Sequence, residues 1–276
     1  MNGVRLHYLE TGTGPLVLLL HGFPEFHAGW RHQIPALAAA GFRVIAPDLR
    51  GYNRSDKPTG VASYRIECLV ADIVGLIGHV GEESAALVGH DWGGTIAFAA
   101  AMSHPKTIER IVVLNAPHPA TFARELRSFD QMRRSSYAAA FQVPKLPEAI
   151  LRTRNFALLR RVLRRDPSRP GAFTEGDIDA YVAAWSQPGA LTAAINYYRA
   201  AARSRLLARR RFPPIQQPTL LIWGDRDRYL RRSLTVGLSE WIPNVRIEHL
   251  PNASHWVQHD EPDRVNALLI DFLGQR

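Results

Sequence analysis

Apolar positions along the chain follow two rhythms. Val4-Arg5-Leu6-His7-Tyr8-Leu9 alternates at period two, as a half-buried strand does, whereas Leu16 to Leu20 is apolar throughout, as in a strand covered on both faces. The pattern then predicts a strand over Phe42 to Ala46, a helix over Ile66 to Val80, a strand over Ala85 to Gly89, a helix from about Gly94 to Met102 and a strand over Ile111 to Leu114. It resumes with a strand over Thr219 to Trp223, a helix near Leu234 to Trp241, a strand over Val245 to His249 and a last helix near Asp263 to Leu273. Strands alternating with helices specify an α/β fold, with a mostly parallel sheet covered on both faces.

From His118 to about Phe212 the alternation stops. Helical patterning over Glu148 to Leu163, Asp177 to Trp185 and Leu191 to Ala208 is punctuated by Pro144, Pro147, Pro167, Pro170 and Pro188. A helical insertion between two strands is expected to lie over the carboxyl ends of the sheet, where such folds place their ligands. The expected organisation is one core, residues 1–117 and 213–276, and one helical cap, residues 118–212. The Val4 strand starts almost at Met1, so an earlier edge strand is expected to be missing, or the start site to be set late.

Composition narrows the classes. No apolar run approaches the ~18–20 residues that cross a bilayer, and no basic-then-apolar leader opens the chain, so a cytoplasmic protein without a membrane span is expected. The single cysteine, Cys68, excludes an intramolecular disulfide and reads as an ordinary buried thiol. The net charge of +9 belongs to one segment: His118 to Arg211 holds 18 basic and 7 acidic residues, and the rest 16 and 18. Arg outnumbers Lys 31 to 3, with no nucleic-acid module or aromatic-interleaved basic motif, so no nucleic-acid partner is expected.

The sharpest chemical signal is Gly89-His90-Asp91-Trp92-Gly93-Gly94, between an apolar strand and a helix. This is the pattern of a nucleophile elbow, a tight turn that presents one side chain in strained backbone with small residues around it. Serine is the usual occupant and attacks acyl carbon; aspartate suits an sp³ carbon bearing a leaving group, and its own ester is then hydrolysed. A helix N-cap aspartate in a glycine turn would look the same in isolation. His255 follows the final strand, and Asp227 follows the strand beyond the insertion, giving the order nucleophile, acid, histidine. His255 is the expected base and Asp227 its orienting acid, with Asp225 the rival. The backbone N–H groups of Phe23 and Trp92 are expected to form an oxyanion hole. The remaining histidines lack metal-ligand spacing, so neither metal nor cofactor is expected.

Taken together, these segments resemble the α/β-hydrolase-fold epoxide hydrolases over essentially the whole chain. The matching stretches are His21 to Glu25, Asp48 to Pro58, Gly89 to Gly94, Asn115 to Pro119 and the His255 loop. Two segments of the cap extend the match: Ser135 to Pro144 presents Tyr137, and Asn196-Tyr-Tyr-Arg199 presents Tyr198. The resemblance implies that these two phenols hold and protonate the epoxide oxygen, since an alkoxide leaves poorly without a proton donor. It departs at Ser254, where the family usually has glycine. Phe23, Trp92, Phe141, Trp185 and Trp256 are expected to line an apolar pocket for a small epoxide, with water as co-substrate and the protein a monomer or homodimer. The rival readings are a haloalkane or haloacid dehalogenase, which shares the aspartate elbow but needs no tyrosine pair, and a silent ligand-binding hydrolase fold, which this intact triad disfavours.

Overall fold

The computed structural model describes residues 2–204 and 212–275. Among the described residues seven strands form one sheet: β1 (Tyr8–Thr11), β2 (Leu16–Leu20), β3 (Arg43–Pro47), β4 (Ala85–His90), β5 (Ile108–Leu114), β6 (Thr219–Gly224) and β7 (Val245–Leu250). Their spatial order is β1-β3-β2-β4-β5-β6-β7; β1 is antiparallel to β3 and every other pairing is parallel. Every residue of β2, β4 and β6 is buried, as their unbroken apolar runs require.

Both faces are covered. On one side α2 (Ile66–His79) and α3 (Trp92–Ser103) pack Ile73, Leu76, Ile96 and Phe98 against Leu18, Leu20, Leu87 and Val113. On the other, α1 (Gln33–Ala39) and α11 (Pro262–Gly274) pack Leu37, Leu268, Leu269 and Phe272 against Val17, Leu19, Val88 and Ile222. Period-two alternation thus puts neighbouring residues of one strand into opposite cores. Between β5 and β6 the described residues form six helices: α4 (Pro119–Glu125), α5 (Phe129–Arg134), α6 (Ser136–Ala140), α7 (Leu146–Arg165), α8 (Glu175–Trp185) and α9 (Ala190–Arg203). A short turn, α10 (Val257–Asp260), precedes α11.

Three elements differ from expectation. The first strand starts at Tyr8 rather than Val4, because the N–H groups of Arg5 and His7 are taken by the side chains of Asp56 and Ser55. The segment expected as a helix near Leu234 forms two short 3-10 turns, Arg232–Thr235 and Leu238–Glu240, separated by Gly237 at φ +76°. Helix α7 is longer than Glu148 to Leu163 and is broken inside, where Arg154, Asn155 and Phe156 adopt left-handed φ values of 48°, 53° and 59°. The expected continuation of α9 to Ala208 lies outside the described residues.

Candidate active site

Five loops leave the carboxyl ends of β2, β4, β5, β6 and β7 on one side of the sheet, and each carries a residue of the site. Asp91 follows β4 at φ 52°, ψ −116°, a conformation few non-glycine residues adopt, and opens α3. The crowding explains the flanking glycines: a Cβ on Gly93 would come within 1.9 Å of the Leu20 carbonyl oxygen, and one on Gly22 within 2.4 Å of the Asp91 side chain. The β2 loop brings the Phe23 N–H to 2.9 Å from Asp91 Oδ1.

His255, from the loop after β7, places Nε2 3.7 Å from Asp91 Oδ2 and Nδ1 2.7 Å from Asp227 Oδ2. Asp227 is buried, and its Oδ1 accepts the N–H groups of Tyr229 and Leu230 at 2.7 and 2.9 Å. Asp225 turns away to His249, at 2.6 Å. Burial opposes a charge on His255, but the charge and hydrogen bond of Asp227, reinforced by Asp91, outweigh it and push its pKa up to about 9. Burial likewise opposes a charge on Asp227, yet the His255 charge, with the His255 and Asn115 hydrogen bonds, holds it below the usual carboxylate range.

The role of Asn115 was not legible beyond its place in a motif. At the end of β5, with φ 39°, its amide exchanges both hydrogen bonds with the Gly224 backbone, at 3.2 and 2.8 Å, and donates to Asp227 Oδ2 at 2.8 Å. A second buried group, Glu25, accepts from Tyr181 of α8, Gln258, His90 and His259 at 2.8–3.1 Å. His90, next to Asp91, also reaches the His255 carbonyl at 2.9 Å. Burial favours a neutral Glu25, but its hydrogen bonds to the two histidines prevail and keep it well below its ordinary pKa; burial drives His259 down to about 4. Beside this network the N–H and hydroxyl of Ser254, the residue before His255, both bond Asp260.

Above Asp91 and His255 lies a cavity of about 180 Å³, with Phe23, Tyr137, Phe141, Tyr198, Tyr229 and Trp256 in its lining, and Leu151, Leu158, Leu159 and Val162 of α7 closing it. Tyr198 is packed edge-on among Phe23, Trp92, Tyr137 and Phe141, with ring centroids 5.1–5.7 Å away. Its neighbour Tyr197 is turned out of the cavity, donating to the Arg50 carbonyl at 2.7 Å. Burial above all, with the Asp91 charge adding to it, holds the Tyr137 and Tyr198 phenols above the ordinary tyrosine value. Two expected pocket residues sit elsewhere. The Trp185 indole is drawn to the Pro24 carbonyl at 2.6 Å and packs on Phe156, away from Asp91, and Trp92 backs Tyr198 and Tyr197 rather than lining the space.

Two other places invite inspection. His7 and His27 converge on Asp48, each Nδ1 on one carboxylate oxygen at 2.8 and 2.7 Å, although twenty residues separate the histidines in sequence. The N–H groups of His27 and Arg54 and the amide of Asn53 fill the remaining positions on Asp48, so a hydrogen-bonded cluster accounts for all three residues. A larger hollow of about 540 Å³ beside them contains no candidate nucleophile.

The sequence profile of the alpha/beta hydrolase fold matches residues 15–262. The chain therefore belongs to the α/β-hydrolase family, and its relatives place it among the epoxide hydrolases of that fold. It is 39% identical to epoxide hydrolase 4 of Mus musculus, over 99% of this chain and 77% of that protein, and 43% identical to the AB hydrolase superfamily protein YfhM of Bacillus subtilis, over 99% and 95%. An epoxide hydrolase from Bacillus megaterium, solved as a point mutant with its naphthyloxy propanediol product, superposes with a TM-score of 0.92 at 37% identity, covering 99% of this chain and 98% of that one. No helix among the described residues is long and apolar enough to cross a membrane.

Proposed function

We propose that the chain hydrolyses small apolar epoxides to vicinal diols through an ester on Asp91, with residues 118–212 acting as the cap and residues 1–117 and 213–276 as the core. One juxtaposition carries the reading: an aspartate at the elbow shares a small apolar cavity with two tyrosines, Tyr198 buried and Tyr137 half-buried. The names of the relatives support the same reaction class.

In this reading Tyr137 and Tyr198 donate to the epoxide oxygen, and Asp91 attacks a ring carbon. Oδ2 is the attacking oxygen, because Oδ1 is held by the Phe23 N–H. The C–O bond of the ring breaks as the new ester C–O bond forms, and a phenol supplies the proton that turns the opening oxygen into a hydroxyl. Esterification also removes the Asp91 charge that helps keep His255 protonated, so the imidazole becomes more readily neutral when a base is needed. His255 then takes a proton from water, whose oxygen attacks the Asp91 carbonyl carbon. Charge builds on Oδ1, where the Phe23 N–H waits with that of Trp92 as the second donor. Collapse expels the diol with the proton that His255 took, and the second proton of the water passes from the Asp91 carboxyl to the phenolate, which restores both the carboxylate and the tyrosine.

A halide would leave without a proton, so a dehalogenase has no use for the tyrosine pair. Turnover of aryl and alkyl epoxides beside haloalkanes and halogenated acids, with mass analysis of the peptide holding Asp91, tests the proposal. Epoxide turnover with a transient adduct is expected; halide release without epoxide turnover would reverse the assignment.

A further inference from the structure

Gln131 lies on α5 outside the cavity, and no part of its side chain is exposed. Its Nε2 donates to the Tyr229 carbonyl at 2.8 Å and to Ser135 Oγ at 3.0 Å, while its Oε1 accepts the Arg231 N–H at 3.1 Å. Both donors and the acceptor of a buried amide are thus used, as the cost of burying one demands. The partners matter more than their number. Tyr229 to Arg231 continue the loop after β6, and the N–H groups of Tyr229 and Leu230 are the ones that hold Asp227 Oδ1, leaving Oδ2 for His255. Ser135 is the residue from which α6 starts, two positions before Tyr137. Arg134, on the same short helix, donates to the Asp227 carbonyl at 2.8 Å.

We infer that Gln131 is a positioning residue that ties the acid of the triad to the proton donor of the cap. It fixes the Tyr229–Arg231 turn, and with it Asp227; through Ser135 it sets where Tyr137 stands above Asp91. The inference rests on the roles proposed above. It carries a kinetic signature that neither end of the link gives alone. Loss of the Tyr137 hydroxyl would slow ring opening, and loss of Asp227 would slow ester hydrolysis, whereas loss of the Gln131 amide slows both.

The experiment follows formation and decay of the Asp91 ester by rapid quench and mass spectrometry, with styrene oxide and the full chain, from about pH 5 to about pH 9. Gln131→Met keeps length and apolar bulk but removes all three hydrogen bonds. Each step is expected to fall about tenfold or more with KM little changed. The midpoint of the hydrolysis profile is expected to move to lower pH, because an imidazole less firmly held by Asp227 loses its proton sooner. Ser135→Ala breaks only the link toward Tyr137 and should slow ester formation about threefold or more, leaving hydrolysis and its profile as in the wild type. A folded Gln131→Met enzyme with both rates within about twofold of wild type and an unmoved pH profile would overturn the inference even if its Tm fell. Should Gln131→Met not fold, wild-type ester formation in Ser135→Ala would overturn the coupling by itself. If the wild-type chain turns over epoxide but never forms an adduct on Asp91, the proposed mechanism fails first, and the two failures are told apart.

Discussion

The floor and the roof of the cavity are built by different means. Asp91, His255 and Asp227 stand on loops that leave the parallel strands β4, β7 and β6, and directional bonds hold them: the Phe23 N–H on Asp91, two N–H groups and the Asn115 amide on Asp227. Tyr137 and Tyr198 stand on helices of the insertion and are held largely by edge-on ring contacts, with centroids 5.7 Å apart. Hydrogen bonds to a sheet fix angle and distance together, whereas ring packing tolerates small slides. The floor therefore suits bond making, where misplacement is costly, and the roof suits a ligand whose shape varies.

Changes to the floor should be absolute. Asp91→Asn is expected to remove turnover altogether while the circular dichroism spectrum stays native, since an amide is a poor nucleophile. His255→Gln should allow Asp91 to be alkylated once and then stop, with the substrate mass added to the peptide holding Asp91. Recovery of free diol at the wild-type rate from either variant would dismiss covalent catalysis.

Changes to the roof should be graded. Tyr137→Phe and Tyr198→Phe each remove one donor but keep the ring, and each is expected to cost on the order of 2–3 kcal/mol, or ~30- to 150-fold, in the alkylation rate. Together they should almost silence epoxide opening and leave any reaction with a bromoalkane untouched. A double variant that still opens styrene oxide at nearly the wild-type rate would remove the mechanistic distinction between floor and roof.

The supports of the floor can be tested through stability. Asn115→Ala leaves the N–H of Gly224 without its partner, the Gly224 carbonyl with only the Asp227 N–H, and the Asp227 carboxylate one donor short, a loss on the order of 2–4 kcal/mol that chemical denaturation would detect. An unchanged unfolding midpoint would mean that water replaces the amide.

The smallest effect concerns pH. Burial alone lowers His118 to about 4, and His259 lies equally low, so the folded chain keeps both neutral where the unfolded chain protonates them near 6.5. Stability should therefore fall as pH drops from about 6.5 toward 4, by on the order of 1–2 kcal/mol per histidine by about pH 5. His255 acts in the opposite direction: raised to about 9, its contribution is complete below 6.5 and lost as pH rises through 9. Tm against pH should show both limbs, with the acid limb shallower in His118→Leu; an acid limb identical to wild type would exclude His118 as a cause.

Much of the floor was legible because it is written locally. Asp91, Asp227 and His255 each follow an apolar run, and a parallel sheet gathers the ends of such runs on one side. Periodicity also predicted helices where α8 and α9 form, but not their neighbours: Trp185 reads as a pocket aromatic wherever it points, and only the packed chain shows it on Pro24. Glu25 and Gln131 were silent for a related reason. Their partners lie 234 and 98 residues away, so no local pattern distinguishes them from ordinary polar residues. Gly237 could have warned against one continuous helix near Leu234, since its φ of +76° interrupts the turn sequence.

The Phe23 N–H makes the two oxygens of Asp91 unequal, and the inequality fixes the fate of individual atoms. In the proposed reaction the oxygen facing the cavity leaves with the diol, and one from water takes its place in the carboxylate. The new hydroxyl of each product molecule thus comes from the protein, and the protein is repaid from solvent afterwards. A chain moved into isotopically heavy water would release its first product light and carry the heavy atom itself, a record one turnover deep of the solvent in which it last worked.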